Sequence, residues 1–165
     1  MNLIVAADAN WAIGKDGDQL CYIRADLKRF QALTKGHGVI LGRRTLATFP
    51  GGKPLKNREN IILSTQEGFT VEGAVVCASL EAALAAAPPD SFVLGGESVY
   101  RQALPYCERA YVTKIHKAFP ADRYFPDLDQ SPDWEIETQE GPFLEEGLRF
   151  TYVTYHRRGG RISKM

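Results

Sequence analysis

The segment CYIRADLKRF, residues 21–30, places one acidic side chain among apolar ones. On a helical wheel of about 100° per residue, Ile23, Leu27 and Phe30 form an apolar arc suited to face a core. Asp26 falls inside this arc, where an unpaired charge is costly. If Asp26 is buried, it must pair with a protein cation, pair with a ligand or take up a proton. An apolar pocket raises the pKa of a carboxylate, which suits proton donation or recognition of a cationic, amidine-like ring. The alternative is an acid in the first turn of a helix, where the helix dipole favours negative charge.

Two apolar strands end in glycine and run directly into a helix, in VILGRRT (residues 39–45) and FVLGGES (residues 92–98). In an open parallel sheet, ligands bind beyond the carboxyl ends of the strands, and a helix N-terminus there offers free N–H groups to phosphate. Arg43 and Arg44 add positive charge at the first junction. We hypothesise a dinucleotide bound across both junctions; the alternative is two tight turns with surface arginines. The G-x-G-x-x-G fingerprint of an ordinary Rossmann site is absent.

The rest of the chain supplies the elements that would position these groups. Apolar or alternating runs predict strands at residues 3–7, 38–42, 60–64, 74–78, 91–96, 109–116, 134–140 and 149–156. Helices are predicted within residues 21–35 and at 43–49, 79–87 and 97–104, with a long polar loop at 8–19. This order predicts an α/β fold, with a mainly parallel central sheet of about eight strands, an antiparallel C-terminal edge and about four flanking helices.

Composition excludes several classes of function. Twenty Lys and Arg residues balance twenty Asp and Glu residues, so no net positive field recruits nucleic acid or an anionic membrane. Cys21, Cys77 and Cys107 are widely spaced, which fits neither a metal site nor a disulfide framework and suggests the cytoplasm. The apolar run at residues 3–7 is too short for a signal peptide or a membrane span. We expect one domain at residues 1–156 and a basic tail at 157–165.

The motifs resemble, in their order and spacing, those of the dihydrofolate reductase family, up to about Tyr155. The matching segments are AIGKDGD, ADLKRF, VILGRRT, KPL with NRENIILS, VLGGESVY, YVTKIH and DRYFPD. The resemblance implies that NADPH gives a hydride to the pterin ring of dihydrofolate, while a proton joins the adjacent ring nitrogen through water. It also implies a monomer that binds NADPH, dihydrofolate and antifolate small molecules, without a metal.

The resemblance further implies roles on the substrate side. Asp26 would hold the 2-amino group and the neighbouring ring nitrogen of the pterin, and Thr113 would form a hydrogen bond with Asp26. Leu20, at the end of the lid, is expected to be catalytic together with Asp26 and Thr113. Arg58 would grip the glutamate carboxylate of folate; its alternative is a solvated charge beside Glu59. The other expected substrate contacts are Val5, Ala6, Leu27, Phe30, Phe49, Leu55 and Tyr100.

On the cofactor side the resemblance implies three groups of contacts. The 2′-phosphate, which distinguishes NADPH from NADH, would contact Arg43, Ser64 and Thr65. The pyrophosphate would lie against Thr45, Gly95, Gly96, Ser98 and Val99, with a cis peptide bond between the two glycines. The nicotinamide would contact Ala7, Ile13, Gly14 and Tyr100. Gly42, Arg44, Leu63 and Glu97 complete the expected cofactor site, and residues 9–22 would close over the reacting rings as a lid.

Three residues near the end of this lid depart from the family pattern. The family usually has a Leu-Pro-Trp-like run and then a proline at the start of the next helix. Here Leu20 stands at the proline of that run, Cys21 at its tryptophan and Arg24 at the proline of the helix. A thiol is far smaller than an indole, so packing beside the pterin is lost unless Tyr22 fills the space. We expect a looser lid and altered affinity for diaminopyrimidine antifolates.

Two other readings compete with a working reductase. A pyrimidine reductase of riboflavin biosynthesis would share the fold and the cofactor, but Asp26 together with Arg58 speaks against it, because that substrate has no glutamate tail. A folate- and nucleotide-binding protein with little or no turnover is favoured by Cys21 alone.

Overall fold

The computed structural model describes residues 1–160 as an α/β domain built on one large sheet. Its strands and helices, in chain order, are β1 (Asn2–Ala7), β2 (Ala12–Gly14), α1 (Arg24–Thr34), β3 (Gly38–Gly42), α2 (Arg43–Ala47), β4 (Glu59–Leu63), β5 (Ala74–Cys77), α3 (Leu80–Ala86), β6 (Phe92–Gly95), α4 (Glu97–Ala103), β7 (Arg109–Ile115), β8 (Arg123–Tyr124), β9 (Trp134–Glu145) and β10 (Leu148–Arg157). Short 3₁₀ turns lie at Pro50–Gly52, Leu104–Tyr106, Leu128–Gln130 and Arg158–Gly160.

The large sheet has eight strands in the order β5–β4–β3–β6–β1–β7–β10–β9. The pairs from β5 to β7 are parallel, whereas β10 runs antiparallel to both β7 and β9. β1 lies between β6 and β7, so the first strand of the chain is paired on both edges with strands from the second half. The predicted fold class is confirmed, with α1 to α4 as the four helices of residues 1–160.

The central strands are buried on both faces, which explains their continuous apolar runs. In β1, Leu3 and Val5 belong to one core cluster and Ile4 to another. The same alternation holds in β3, where Ile40 packs with the first cluster and Leu41 with the second. Because successive side chains of a strand point to opposite faces, the two clusters lie on the two sides of the sheet.

Helix α1 begins at Arg24, three residues later than the start of the segment predicted to form it. Ile23 precedes the helix in an extended conformation, at φ −116° and ψ 117°. Phe30 packs against the core as predicted, but Leu27 is 58% exposed, so its expected place facing the core is wrong. The reason is that Leu27 lies on the side of α1 that lines an open cleft, so the core does not cover its side chain.

The segment predicted as a polar loop at residues 8–19 contains the short strand β2. This strand pairs antiparallel with β8, and the Phe125 N–H donates to the carbonyl of Trp11 close by. The Asp16 N–H donates to Oδ2 of Asp122 at 3.0 Å. Alternation over three residues is too short to be recognised in the sequence, so its pairing with β8 was missed.

The C-terminal end of the fold is formed by β10, which runs to Arg157 at the start of the predicted tail. Residues 158–160 form a 3₁₀ turn, and the rest of that tail, 161–165, lies outside the described residues. Across residues 1–160 no helix has the length and apolar character needed to cross a membrane.

Candidate active site

A continuous cleft of about 1920 Å³ follows the carboxyl ends of β1, β3, β4 and β6. It extends under the segment from Ile13 to Ile23 and along one side of α1. Sites for a single drug-sized ligand are usually roughly 300–1,000 Å³. The cleft is therefore large enough for two ligands side by side, such as a dinucleotide and a second molecule of similar length.

Asp26 stands in the first turn of α1 and lines this cleft. Its Oδ1 accepts a hydrogen bond of 2.5 Å from the hydroxyl of Thr113 on β7. Within residues 1–160, no other hydrogen bond and no ion pair of the protein reaches this carboxylate. The acid is thus held in place by a neutral group, and no described residue donates a hydrogen bond to its second oxygen.

The pKa of Asp26 is raised above its ordinary value, and burial is the largest cause. The hydrogen bond from Thr113 and the positive charge of Arg29 oppose the shift, while the negative charge of Glu145 adds to it. Arg29 does not form an ion pair with Asp26; its guanidinium lies over the ring of Tyr152, 4.1 Å from the ring centroid. A carboxyl group in this state suits recognition of a cationic, amidine-like ring.

The other expected substrate contacts lie mostly in the same part of the cleft. Its lining includes Leu20, Val5, Ala6, Leu27, Phe30, Phe49 and Leu55. Tyr100 also contributes to the wall, but it is buried, and its hydroxyl lies 2.7 Å from the Ile4 carbonyl and 2.8 Å from that of Leu94. This arrangement ties α4 to β1 and β6.

Arg58 is held against α1 and not beside Glu59. Its Nε donates to the Thr34 hydroxyl at 3.2 Å, and its Nη2 donates to Oε1 of Gln31 at 2.5 Å. Arg58 itself does not line the cleft, whereas Gln31 does. The guanidinium is therefore oriented by the helix that carries Asp26, at the opposite end of that helix.

The two glycine junctions lie side by side, as a phosphate-binding cradle requires. A Cβ atom at Gly42 would meet the side chain of Val99 at 3.4 Å, and one at Gly96 would meet the Thr45 hydroxyl at 3.4 Å. Gly42 and Gly96 are also the residues that precede α2 and α4, and neither helix has a side-chain cap. The residues therefore fit a pyrophosphate group, because the free N–H groups of both turns open onto the cleft.

The peptide bond between Gly95 and Gly96 is cis, which confirms that expectation. Ile13, Gly14, Glu97 and Ser98 line the cleft beside this junction. Ala7 and Gly95 do not reach the cleft surface: both are buried, and Gly95 packs against the ring of Tyr100.

At the far end of the cleft, Arg43 and Arg44 stand near Leu63, Ser64 and Thr65. The Arg43 guanidinium forms a hydrogen bond with Gln66 and lies 5.7 Å from the centroid of the Phe69 ring. Two permanent cations together with hydroxyl donors suit a phosphate monoester.

Several cleft residues were not predicted. They are Gln31, Gln66, Ile115, Asp122, Arg123, Glu145 and Glu146. Gln31 carries a helical signal that could have been followed, because it lies four residues after Leu27 on the same face of α1. Glu145 carries no such signal. It lies in an exposed hairpin, 121 residues after Arg24, whose N–H donates to it.

The lid departs from the expected packing at Tyr22. Tyr22 is 66% exposed and its hydroxyl donates to Oδ1 of Asp18 at 2.6 Å. It therefore does not fill the space beside Cys21, and that possibility is wrong. Cys21 is partly buried beside Ile23 and lines the cleft, and burial raises the pKa of its thiol.

A cleft with a phosphate cradle at one end and a lone buried carboxylate at the other defines a nucleotide-dependent enzyme that acts on a flat heterocycle. The family model for dihydrofolate reductase matches residues 1–157. The dihydrofolate reductase of Bacillus subtilis is 37% identical over 154 residues, covering 92% of this chain and 90% of that one. That of Mycobacterium tuberculosis (strain H37Rv) is 38% identical over 161 residues, covering 95% and 98%.

The fold of a solved relative agrees with these matches. The dihydrofolate reductase from Enterococcus faecalis, complexed with NADP(H) and RAB-propyl, superposes with a TM-score of 0.85 at 33% identity and covers 95% of each chain. The chain belongs to the dihydrofolate reductase family, and the resemblance inferred from its motifs is confirmed.

Proposed function

We propose that the protein catalyses the NADPH-dependent reduction of 7,8-dihydrofolate to 5,6,7,8-tetrahydrofolate. Membership of the dihydrofolate reductase family supports this activity. The observation that carries the proposal is the Asp26 carboxylate, which lines the cleft with one neutral partner, Thr113, and no cation of the described protein. Bound NADPH supplies the hydride; the residues of the chain bind, orient and protect the reacting rings.

Asp26 would hold the 2-amino group and the adjacent ring nitrogen of the pterin through two parallel hydrogen bonds. A negative charge at this place raises the proton affinity of the ring, and the proton itself reaches the reacting nitrogen through water. Thr113 supports the orientation of the carboxylate by donating to Oδ1, and Oδ2 has no hydrogen bond from a described residue. The apolar walls of the cleft strengthen these interactions by excluding solvent.

The remaining substrate contacts follow the length of folate away from Asp26. Phe30, Phe49 and Leu55 would pack on the pterin and benzoyl rings, as their place on the cleft wall suggests. Arg58 and Gln31 stand at the end where the glutamate tail would leave the cleft. Leu20 would exclude water above the reacting rings when the lid closes.

NADPH would occupy the other half of the cleft. Gly42, Thr45, Gly96 and the N–H groups around Ser98 would hold its pyrophosphate, while Arg43, Ser64 and Thr65 would hold its 2′-phosphate. Ile13 and Gly14 would border the nicotinamide, with Ala7 and Gly95 supporting that wall from behind.

The test is oxidation of NADPH by the purified protein in the presence and absence of dihydrofolate. We expect consumption that requires dihydrofolate and yields tetrahydrofolate. Binding of both ligands without consumption would favour the binding protein without turnover. Consumption with a ribosylamino-pyrimidine but not with dihydrofolate would favour the riboflavin-pathway reductase.

Arg43→Ala is expected to weaken NADPH binding by roughly 10- to 100-fold, since hydrogen bonds to charged groups contribute about 1.5–3 kcal/mol each. NADH, which lacks the 2′-phosphate, should lose much less affinity. Titration of both nucleotides by calorimetry measures the difference. Arg101→Ala, which removes an exposed arginine of α4 outside the cleft, serves as the control. Equal weakening of NADPH and NADH by Arg43→Ala would contradict the assignment.

Cys21→Trp is expected to tighten the binding of a diaminopyrimidine antifolate by roughly 5- to 100-fold, because burying an additional apolar surface contributes about 1–3 kcal/mol. Turnover of dihydrofolate should change little. Cys21→Ser, which changes polarity and adds no volume, is the control and should not gain affinity. Inhibition constants measured for the three proteins decide the matter. If Cys21→Trp keeps the wild-type melting temperature and gains no affinity, the lid departure does not control antifolate binding.

A further inference from the structure

The N-terminus of α1 is capped by a residue from the other end of the chain. Ile23, which precedes the helix, provides no side-chain cap. Instead, the carboxylate of Glu145 accepts the N–H of Arg24 on Oε2 at 2.6 Å and the N–H of Ala25 on Oε1 at 3.1 Å. Two of the first-turn donors are therefore satisfied by one carboxylate that belongs to the last residue of β9.

This contact joins the β9–β10 hairpin to the turn of α1 that carries Asp26. Asp26 follows Ala25 directly, so the backbone that Glu145 binds is the backbone that places the Asp26 side chain. On its other side, Asp26 is held by Thr113 of β7. The Asp26 carboxylate is thus held on one side by the Thr113 hydroxyl of the sheet. On the other side it is attached to a helix end that Glu145 of the hairpin caps.

Glu145 also adds a negative charge to the surroundings of Asp26. The titratable and charged groups that interact with Asp26 are Arg29 on α1, Cys21 in the lid, Tyr152 on β10 and Glu145 on β9. Burial is the largest cause of the raised pKa of Asp26, and Glu145 is the acid that raises this pKa further. Removal of the Glu145 charge should therefore lower the pKa of Asp26.

We propose that Glu145 is a positioning residue for the reductase reaction: its carboxylate fixes the first turn of α1, and so the place of Asp26, and it adds a negative charge near the substrate site. The proposal rests on the proposed function, because it assigns Glu145 a part in the same reaction. Glu145 acts through Asp26 and makes no use of its own proton.

The first experiment measures the titration of Asp26 in the protein without ligands, by carbon-13 NMR of its carboxyl group. In Glu145→Gln, the titration midpoint should move to lower pH, because the amide keeps one acceptor oxygen but loses the charge. Glu140→Gln removes a charge from the same strand at an exposed position without a contact to α1, and it should leave the midpoint unchanged. An unchanged midpoint in Glu145→Gln would overturn the electrostatic part of the proposal.

The second experiment is the pH profile of dihydrofolate turnover. Activity should decline as pH rises, since the reaction consumes a proton, and the decline should set in at lower pH in Glu145→Gln than in the wild type. The KM for NADPH should stay the same. A profile that is merely scaled down, with no movement along the pH axis, would indicate a structural role only and overturn the proposal.

The third experiment tests the contact itself through Arg24. Proline is accepted at the first position of a helix and lacks the N–H that Glu145 binds, and the extended Ile23 suits a residue before proline. Glu145→Ala should lower the urea midpoint of the wild type more than that of Arg24→Pro. Equal losses in both backgrounds would overturn the capping contact.

These outcomes are distinguishable from failure of the proposed function. If the wild type does not oxidise NADPH with dihydrofolate, the reductase assignment fails in that assay alone. The titration of Asp26 and the stability comparison of Glu145→Ala in the wild type and in Arg24→Pro need no turnover. They would still show whether Glu145 positions Asp26.

Discussion

Asp26→Asn is expected to lower kcat/KM for dihydrofolate by about 10²- to 10⁴-fold near neutral pH, the range associated with loss of a positioned acid–base group. A neutral amide cannot balance the positive charge that the pterin ring gains when it is protonated. It also exchanges one acceptor oxygen for a donor where the cleft needs two acceptors. Partial recovery is expected at lower pH, because the substrate then takes its proton from solution without help from the protein.

The measurement is the pH profile of NADPH oxidation for Asp26→Asn beside the wild type. Asp90→Asn is the matched control: it removes a carboxylate at an exposed position outside the cleft, in a backbone conformation that asparagine also adopts. It should retain wild-type activity. Full activity of Asp26→Asn at neutral pH, or an equal loss at every pH, would contradict the role assigned to the carboxylate.

Gly95→Ala is expected to destabilise the protein by about 2–6 kcal/mol and to weaken NADPH binding. Gly95 has φ +120°, a conformation that side chains rarely adopt, and this strain costs about 1–3 kcal/mol. An added Cβ atom would also lie 3.0 Å from the Tyr100 ring, and overpacking of this kind costs about 1–3 kcal/mol. The ring cannot retreat without losing the contacts of its hydroxyl with the carbonyls of Ile4 and Leu94.

Urea denaturation measures the stability, and calorimetric titration measures the affinity for NADPH. Gly68→Ala separates the two causes, because Gly68 also has a positive φ, of 73°, but an added Cβ there meets nothing within 4 Å. It should cost only about 1–2 kcal/mol and leave NADPH binding unchanged. If the two variants lose equal stability, the contact with Tyr100 does not matter.

The sheet was predictable because its central strands are continuous apolar runs, and because apolar and polar residues alternate in the sequence of β9 and β10. The glycines at the ends of β3 and β6 correctly predicted the turns into α2 and α4. The start of α1 was placed too early, because periodicity extends through Ile23 although the backbone there is extended. Leu27 was misplaced because it faces the open cleft and not the core.

The site was only partly predictable from local patterns. The wheel singled out Asp26, but its partner Thr113 lies 87 residues later and was reached through the family resemblance alone. Glu145 was not found at all, since a glutamate near a hairpin turn looks like any solvated charge. Contacts between residues far apart in the chain depend on tertiary structure, which residue spacing does not encode.

The position of β1 affects when the protein can fold during its synthesis. Both neighbours of β1 are made late, β6 at Phe92–Gly95 and β7 at Arg109–Ile115. A nascent chain that stops before β7 therefore leaves one edge of its first apolar strand without a partner, and Asp26 without Thr113. Until the ribosome has completed most of the polypeptide, the N–H and C=O groups on that edge of β1 stay unpaired and open to association with other chains. Folding of this domain is therefore largely a late event in translation.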